Sequence, residues 1–478
     1  MIFFSCHSIP LLVYSNSKVN DRSVTYIFFW IDKVERNSQN LSTRNSFPRK
    51  SRKDRKEAIL DAAFLIWGKS NFTTTSLTPI ANHLGITKAA IYKHFRSKEE
   101  LLRNMEERFV QRYVAFHEEF FREAAGADIS TAVYIFMKKV LQFYQGNIYF
   151  YTYFIMWMIE SRFTDRPEVQ SVLAMQKELF YPLFTEAGIN EKDVNIEDRI
   201  HFLYIFTTFW LSTLFLDQEN CDSVPQKPLP PLTTDEKTEM ALKRWHRYCM
   251  EGIAVPGSTQ TLSYHEIEKR LTFPPKPPRE HDKIFTAIIE VSAEVGLRNA
   301  SVERIAEKLG MSKSSLYSHF RNKKSMFESL LKEEQQFILG VIKGKIPSLP
   351  GFPEQSYGFM YITALCKIQN PSLLSVFNWF RFQNIHTTVK PPSRSFMKEY
   401  FAFFLNAFQK GEVACSPEDV LPSAVLLHIL TFRLLTDEDQ SNQLSSLLCQ
   451  KLRNFHRLYL YGIRTRTLEG SEYIQKRG

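Results

Sequence analysis

Cysteine is sparse and scattered. The six thiols, Cys6, Cys221, Cys249, Cys366, Cys415 and Cys449, form no CxxC pair, and none joins the 12 histidines at zinc-finger spacing. That pattern reads as reduced cysteines in a cytoplasmic protein, with no metal site. Apolar runs of spanning length are also missing. Phe202–Leu216 holds 15 residues and Ile148–Ile159 is shorter, whereas a membrane-spanning helix needs about 20. Both read as buried helices, so no membrane partner is expected. No acid/base pair, nucleophile motif or glycine-rich phosphate loop stands out, so neither an enzyme nor a cofactor is expected. The opening segment MIFFSCHSIPLLVYSNS lacks the basic region and small-residue cleavage site of a signal peptide. Residues 1–48 show no sustained period. They are expected to be a disordered leader or to lie ahead of the true start.

What remains is a long, basic, aromatic-rich chain. Its 478 residues are too many for one ordinary domain, and length alone predicts roughly three or four. Hydrophobic residues make up 44%, with 40 Phe and 20 Tyr available for cores. The net charge of +10 suits an anionic partner, nucleic acid or a membrane surface, without choosing between them. A plain solvated basic surface is the alternative.

The choice is made by a repeat. ITKAAIYKHFRSKEEL, starting at Ile86, returns as MSKSSLYSHFRNKKSM, starting at Met311. At an offset of 225, residues 59–98 and 284–323 are identical at 13 of 40 positions, ten of them between Ile80 and Lys98. A period this long means a duplicated domain or protein rather than a solenoid. Each copy reads as three short helices and the start of a fourth. Ile59, Ala62, Ala63 and Ile66 make one apolar stripe, matched by Ile284, Ala287, Ile288 and Val291. Ser76 and Ser301 are expected to cap the second helix. Its buried face is Leu77, Ile80, Ala81 and Leu84, or Val302, Ile305, Ala306 and Leu309. Gly85 and Gly310 then allow a sharp turn. Thr87 and Ser312 cap a third helix, with Ile91 and Phe95, or Leu316 and Phe320, pointing inward. Ser97 and Glu100 predict a capping box for the fourth. The whole is a helix-turn-helix unit.

With those residues inside, the outward face of the first copy carries Thr87, Lys88, Ala90, Tyr92, Lys93 and His94. The second carries Ser312, Lys313, Ser315, Tyr317, Ser318 and His319. Small, hydroxyl, Lys and Tyr side chains of this kind can enter a major groove and hydrogen-bond bases or phosphates. Lys98 and Lys323, at the start of the next helix, are placed for phosphate. His94 and His319 are either DNA contacts or packing residues.

At this point the chain resembles a known family. The run I-A-x-x-x-G-[IM]-[TS]-K-x-x-[IL]-Y-x-H-F-x-x-K, present twice with its upstream small/apolar helix, is similar to the DNA-binding head of the tetracycline-repressor (TetR) family. The resemblance implies an all-α fold, two helix-turn-helix heads and, after each, a helical bundle that senses a ligand and dimerises. The double-stranded DNA-binding residues it implies here are Ser76, Thr87, Lys88, Ala90, Tyr92, Lys93, His94 and Lys98. In the second head they are Ser301, Ser312, Lys313, Ser315, Tyr317, Ser318, His319 and Lys323. The expected division is a head at 53–113, a companion domain at 114–253, a Pro-containing linker at 254–277, a second head at 278–338 and a second companion at 339–465.

Further features bear on how two heads cooperate. Arg49, Lys50, Arg52, Lys53, Arg55 and Lys56 are expected to precede the first helix as a DNA-tracking arm, whereas the segment before the second head, TFPPKPPREHDK, is far less basic. The aromatic stretches Tyr149–Phe154 and Tyr204–Trp210 line a pocket for a small apolar or aromatic effector, or are ordinary core. WHRYCMEGI, starting at Trp245, is echoed at an offset of 210 by FHRLYLYGI, starting at Phe455. The linker's FPPKPP predicts a stiff, extended tether. Together these predict an intramolecular pseudo-dimer, its shared bundle built from the last two helices of each half. Because the outer faces differ, the expected operator is asymmetric. The competing class is a ligand- or protein-binding module in which one or both heads no longer bind DNA.

Overall fold

The computed structural model describes residues 52–67, 76–145, 166–189, 194–216, 236–255, 260–272, 282–295, 300–319, 323–369, 394–434 and 444–464, with positions 150 and 274. Among these every regular element is helical, apart from one isolated antiparallel bridge between Ala254 and Val413. The apolar run Ile148–Ile159, apart from Phe150, falls outside the described residues, as do residues 217–235, most of FPPKPP, and Cys6 and Cys221.

The first head comprises α1 (Arg52–Trp67), α2 (Thr78–His83) and α3 (Lys88–Tyr92). It feeds α4 (Lys98–Ala124), whose inward positions run from Leu101 through Met105, Phe109, Tyr113 and Phe116 to Phe120. This stripe recurs every three or four residues, so one long helix carries both the base of the head and one wall of the companion bundle. The bundle is completed by α5 (Ile129–Gln145), α6 (Pro167–Glu186), α7 (Ile196–Leu216) and α8 (Glu236–Glu251). α4 packs on α5 and α6, and α5 packs on α8.

Next comes α9 (Tyr264–Arg270), then the second head: α10 (Asp282–Val295), α11 (Val302–Lys308) and α12 (Lys313–His319). The second bundle holds α13 (Lys323–Lys345), α14 (Phe352–Gln369), α15 (Arg394–Tyr400), α16 (Ala402–Gln409), α17 (Val420–Leu434) and α18 (Ser446–Tyr461). The helix α9 corrects the expected extended tether. Ser263 and Glu266 close a full capping box, Ile267 is buried, and Glu268 holds Arg453 (2.6 Å). The middle of the linker is thus tied to the second half rather than spanning free space.

One hydrophobic core runs from Ile59 to Ile463, through both halves. Its centre is where α7 packs on α17 and α18, and α8 on α18. There Trp210 stacks on Trp245 with ring centroids 5.1 Å apart. Trp210, Phe206 and Phe209 are therefore packing residues within this core.

The two echoed segments meet at this centre in a reciprocal way. The Ile253 N–H donates to the Tyr459 carbonyl (3.3 Å), and the Ile463 N–H donates to the Cys249 carbonyl (2.9 Å). The Ala254 N–H donates to the Leu460 carbonyl (2.9 Å), and the Arg464 N–H to the Met250 carbonyl (3.3 Å). Each bond is its partner's image under the 210-residue offset. Gly252 (φ +76°) and Gly462 (φ +77°) make the approach feasible. A Cβ at Gly252 would stand 2.1 Å from the Leu460 carbonyl oxygen, and one at Gly462 would stand 2.3 Å from that of Met250. Only a residue without Cβ tolerates both the positive φ and the contact.

A second pair of contacts follows the same logic. Asp198 in the first turn of α7 and Asp419 just before α17, 221 residues apart, each reach across to the other half. Asp198 accepts from Asn454 Nδ2 (2.7 Å). Asp419 accepts from Arg244 Nε (3.1 Å) and from the Tyr248 hydroxyl (3.0 Å). Arg244 and Asn454 are themselves 210 residues apart.

Candidate nucleic-acid interface

Both helix-turn-helix turns close identically. In the first head the Gly85 N–H donates to the Asn82 carbonyl (3.1 Å) and the Ile86 N–H to the Ala81 carbonyl (2.9 Å). In the second, Gly310 donates to Glu307 (2.9 Å) and Met311 to Ala306 (3.0 Å). This is the Schellman closure, with glycine left-handed at φ +63° and +69°. It fixes the angle at which α3 and α12 leave the preceding helix.

The caps are not all as expected. Thr87 caps α3, its Oγ1 accepting from the Ala90 N–H, and the Ser312 hydroxyl accepts from the Ser315 N–H. Ser301 caps α11 by accepting from the Arg304 N–H (3.4 Å). Ser76 does not cap α2: the cap position is Leu77, and Ser76 Oγ takes the Thr78 N–H instead (3.3 Å). The reason is Pro79, which occupies the place of Arg304 and has no N–H to donate. At Ser97, the hydroxyl accepts from the Glu100 N–H as predicted, but the Glu100 carboxylate receives the Arg96 N–H.

Ile91 and Phe95 are buried, which turns Lys88, Ala89, Tyr92 and Lys93 outward with Thr87 at the helix start. Tyr92 keeps 50% of its surface exposed, so its ring and hydroxyl are open to solvent. Ala90 and His94 are half-buried, so the outward place given to Ala90 belongs to Ala89. In the second head Ser312, Lys313, Ser314 and Ser315 are exposed, whereas Tyr317 is half-buried against the head's own small core. The side chains of Ser318, His319 and Lys323 lie outside the described residues, as does Phe320.

The basic arm is not placed as expected. The helix α1 already begins at Arg52, so Arg52, Lys53, Arg55 and Lys56 form its first turns rather than a preceding arm, and Arg49 and Lys50 lie outside the described residues. Lys56 Nζ sits 5.4 Å from the Phe95 ring centroid, and Lys98 Nζ 5.5 Å from that of Trp67. Lys98 is therefore half-buried against the head's core while its ammonium remains at the first turn of α4. Arg108 on α4 reaches back to α1, to Asp61 (2.8 Å) and Glu57 (3.3 Å). That ties the head to its bundle. The aligned residue in the second half is Glu333, which cannot serve this way.

The sequence pattern did not flag Glu303. Its carboxylate binds Lys313 Nζ on the outward face, linking α11 to α12. The Lys313 ammonium holds the Glu303 carboxyl down to about 2 and its own pKa is raised in return. Alignment at the 225 offset carries the signal, since Thr78 stands there in the first head.

The bacterial regulatory proteins of the tetR family match this chain at residues 59–105 and again at 284–330. The chain therefore carries two TetR-family DNA-binding domains in tandem. The TetR-type heads correspond to α1–α3 and α10–α12, each with the first part of the following long helix. The chain is 25% identical over 154 residues to the HTH-type transcriptional repressor SCO4008 of Streptomyces coelicolor, covering 32% of this chain and 76% of the repressor. It is 41% identical over 49 residues to YerO, an uncharacterized HTH-type transcriptional regulator of Bacillus subtilis, covering 10% of this chain and 17% of that one. It is 28% identical over 78 residues to the nucleoid occlusion factor SlmA of Actinobacillus pleuropneumoniae, covering 16% of this chain and 39% of that protein. With two such heads the chain is, at this level, a DNA-binding regulator of transcription. Among the described residues no helix is long and apolar enough to cross a membrane.

Proposed function

We propose that this chain is a ligand-responsive repressor that works as an intramolecular pseudo-dimer on an asymmetric operator. The observation that carries this reading is the reciprocal joint at Gly252 and Gly462, where four hydrogen bonds pair off under the repeat offset. Helix-turn-helix dimers present two heads about one helical turn, ~34 Å, apart on DNA. Here one chain supplies both heads and the central contact that a dimer would otherwise make with a second copy.

Each head would enter a major groove with α3 or α12. In the first head Lys88, Tyr92 and Lys93 take the DNA contacts, and Thr87 holds the helix start. In the second the contacts are Lys313 and the serine row Ser312, Ser314 and Ser315. The two faces offer different donors, so the half-sites differ. The same reading puts the protein in the cytoplasm with the chromosome. An effector would act on the bundles, where a buried chain runs from Gln176 through the Tyr204 hydroxyl to His117 and the Tyr113 carbonyl. Polar groups of this sort, set among aromatic rings, are suited to an aromatic ligand bearing one hydrogen-bonding group.

Light scattering of the DNA complex tests the stoichiometry: one chain per operator is expected, and two chains with four heads would overturn it. Selection from random duplexes tests the asymmetry, which a perfect inverted repeat would refute.

A further inference from the structure

We propose that Glu303 is a built-in competitor for the DNA backbone, which lowers the second head's non-specific hold on DNA relative to the first. This rests on the DNA-binding reading of both heads. Lys88 and Lys313 are aligned lysines at the start of the outward-facing helices. Lys313 is engaged by Glu303 from α11, whereas the place of Glu303 is taken by Thr78 in the first head. The difference is not isolated. Lys308 is held by Glu294 (2.6 Å) and Glu290 (3.3 Å), where the first head has Lys69 and Leu65. Over the forty aligned residues the first head sets five Lys and Arg against Asp61 alone, and the second sets six against Glu290, Glu294, Glu303 and Glu307.

The consequence follows from counterion release. A lysine that neutralises a phosphate frees one condensed cation, and each such contact adds about −0.9 to the slope of log K against log salt. An ammonium already balanced by a carboxylate makes no such gain. The exposed Glu303–Lys313 pair is weak and a phosphate can displace it. Glu303 then stands uncompensated beside the backbone, and Lys313 again contributes less than Lys88. The first head therefore anchors the chain electrostatically, and the second adds little on sequences whose bases it does not recognise.

The test uses the full chain and a random-sequence duplex, titrated across about 50–200 mM salt. Glu303→Thr installs the residue of the first head. It should tighten binding about five- to tenfold at the low-salt end and steepen the slope by about 0.9. Lys88→Ala should flatten the wild-type slope by about 0.9, Lys313→Ala by much less, and Lys313→Ala in the Glu303→Thr background by about 0.9 again. All three positions are exposed, and matching thermal melts would exclude a folding effect. An unchanged slope for Glu303→Thr, or equal losses for the two lysine variants in the wild-type chain, overturns the proposal while leaving DNA binding intact. A wild-type chain without affinity for duplex at low salt overturns both.

Discussion

Replacing Gly252 with alanine separates the joint between the halves from ordinary backbone strain. The comparison is Gly85→Ala. Both glycines are left-handed, at φ +76° and +63°, but a Cβ at Gly85 meets nothing within 4 Å. Gly85→Ala should therefore cost only the conformational term, about 1–2 kcal/mol. At Gly252 the new Cβ would lie 2.1 Å from the Leu460 carbonyl oxygen, which is backbone and cannot swing away. The two segments must separate, straining or breaking the Ala254 and Ile253 hydrogen bonds to Leu460 and Tyr459 at about 1 kcal/mol each. The total is about 3–4 kcal/mol, a large fraction of the ~5–15 kcal/mol that holds a typical domain. Urea unfolding followed by tryptophan fluorescence reads this directly, because Trp210 and Trp245 stack at the same joint. Gly462→Ala should match Gly252→Ala, being its image. Equal midpoints for Gly252→Ala and Gly85→Ala would refute the close approach, and with it the main support for a pseudo-dimer.

Three further outcomes are expected. Asp419→Asn should lower stability by about 2 kcal/mol, because the charged acceptor of Arg244 and Tyr248 is lost inside the joint; an unchanged urea midpoint would contradict this. Burial holds His117, His428 and His456 down to about 3 and His201 to about 4, so the unfolded chain takes up protons first as pH falls below 6.5. Stability should then be level between about pH 7 and 8 and drop between about pH 6 and 4, by up to about 1.4 kcal/mol per pH unit per histidine. A midpoint that stays constant from pH 7 to 5 would exclude this, and His117→Phe should remove one proton from the uptake. Lys98→Ala should flatten the salt slope on any duplex by about 0.9 and also cost about 0.5–1 kcal/mol of stability from the lost Trp67 contact; a stability loss with no change in slope would make Lys98 purely structural.

Much of each head was legible because its signals are local. Apolar spacing placed Ile59, Ile80 and Ile91 in the core, and a glycine after Leu84 or Leu309 fixed the turn. The misplacements are local too, but depend on a neighbour that changes the available donors. Ser76 fails as a cap because Pro79 has no N–H, and Ala90 yields its outward place to Ala89 because Ala89 lies about 200° around α3 from the buried Ile91 and Ala90 only about 100°. Long-range partners were out of reach. Nothing in the spacing says that Lys313 meets Glu303, that Arg108 returns to Asp61, or that the linker folds as α9 onto Arg453. Such contacts depend on how helices cross, which the periodicity of a single helix does not encode.

The joint itself argues for what a fused chain gains over two separate copies. In a symmetric pair any substitution appears on both sides of the axis. Here the two images have already separated: Asp419 faces the guanidinium of Arg244, while Asp198 faces the neutral amide of Asn454. Burial pushes the Asp198 carboxyl up, and Asn454 relieves it without adding a charge. The backbone bonds at Gly252 and Gly462 keep their symmetry because they involve no side chain that could diverge. The side chains around them have drifted apart, as have the two outward faces and the acids behind them. A symmetric backbone joint with independent sides is the arrangement in which one head can carry an acid such as Glu303 without forcing the same residue on the other.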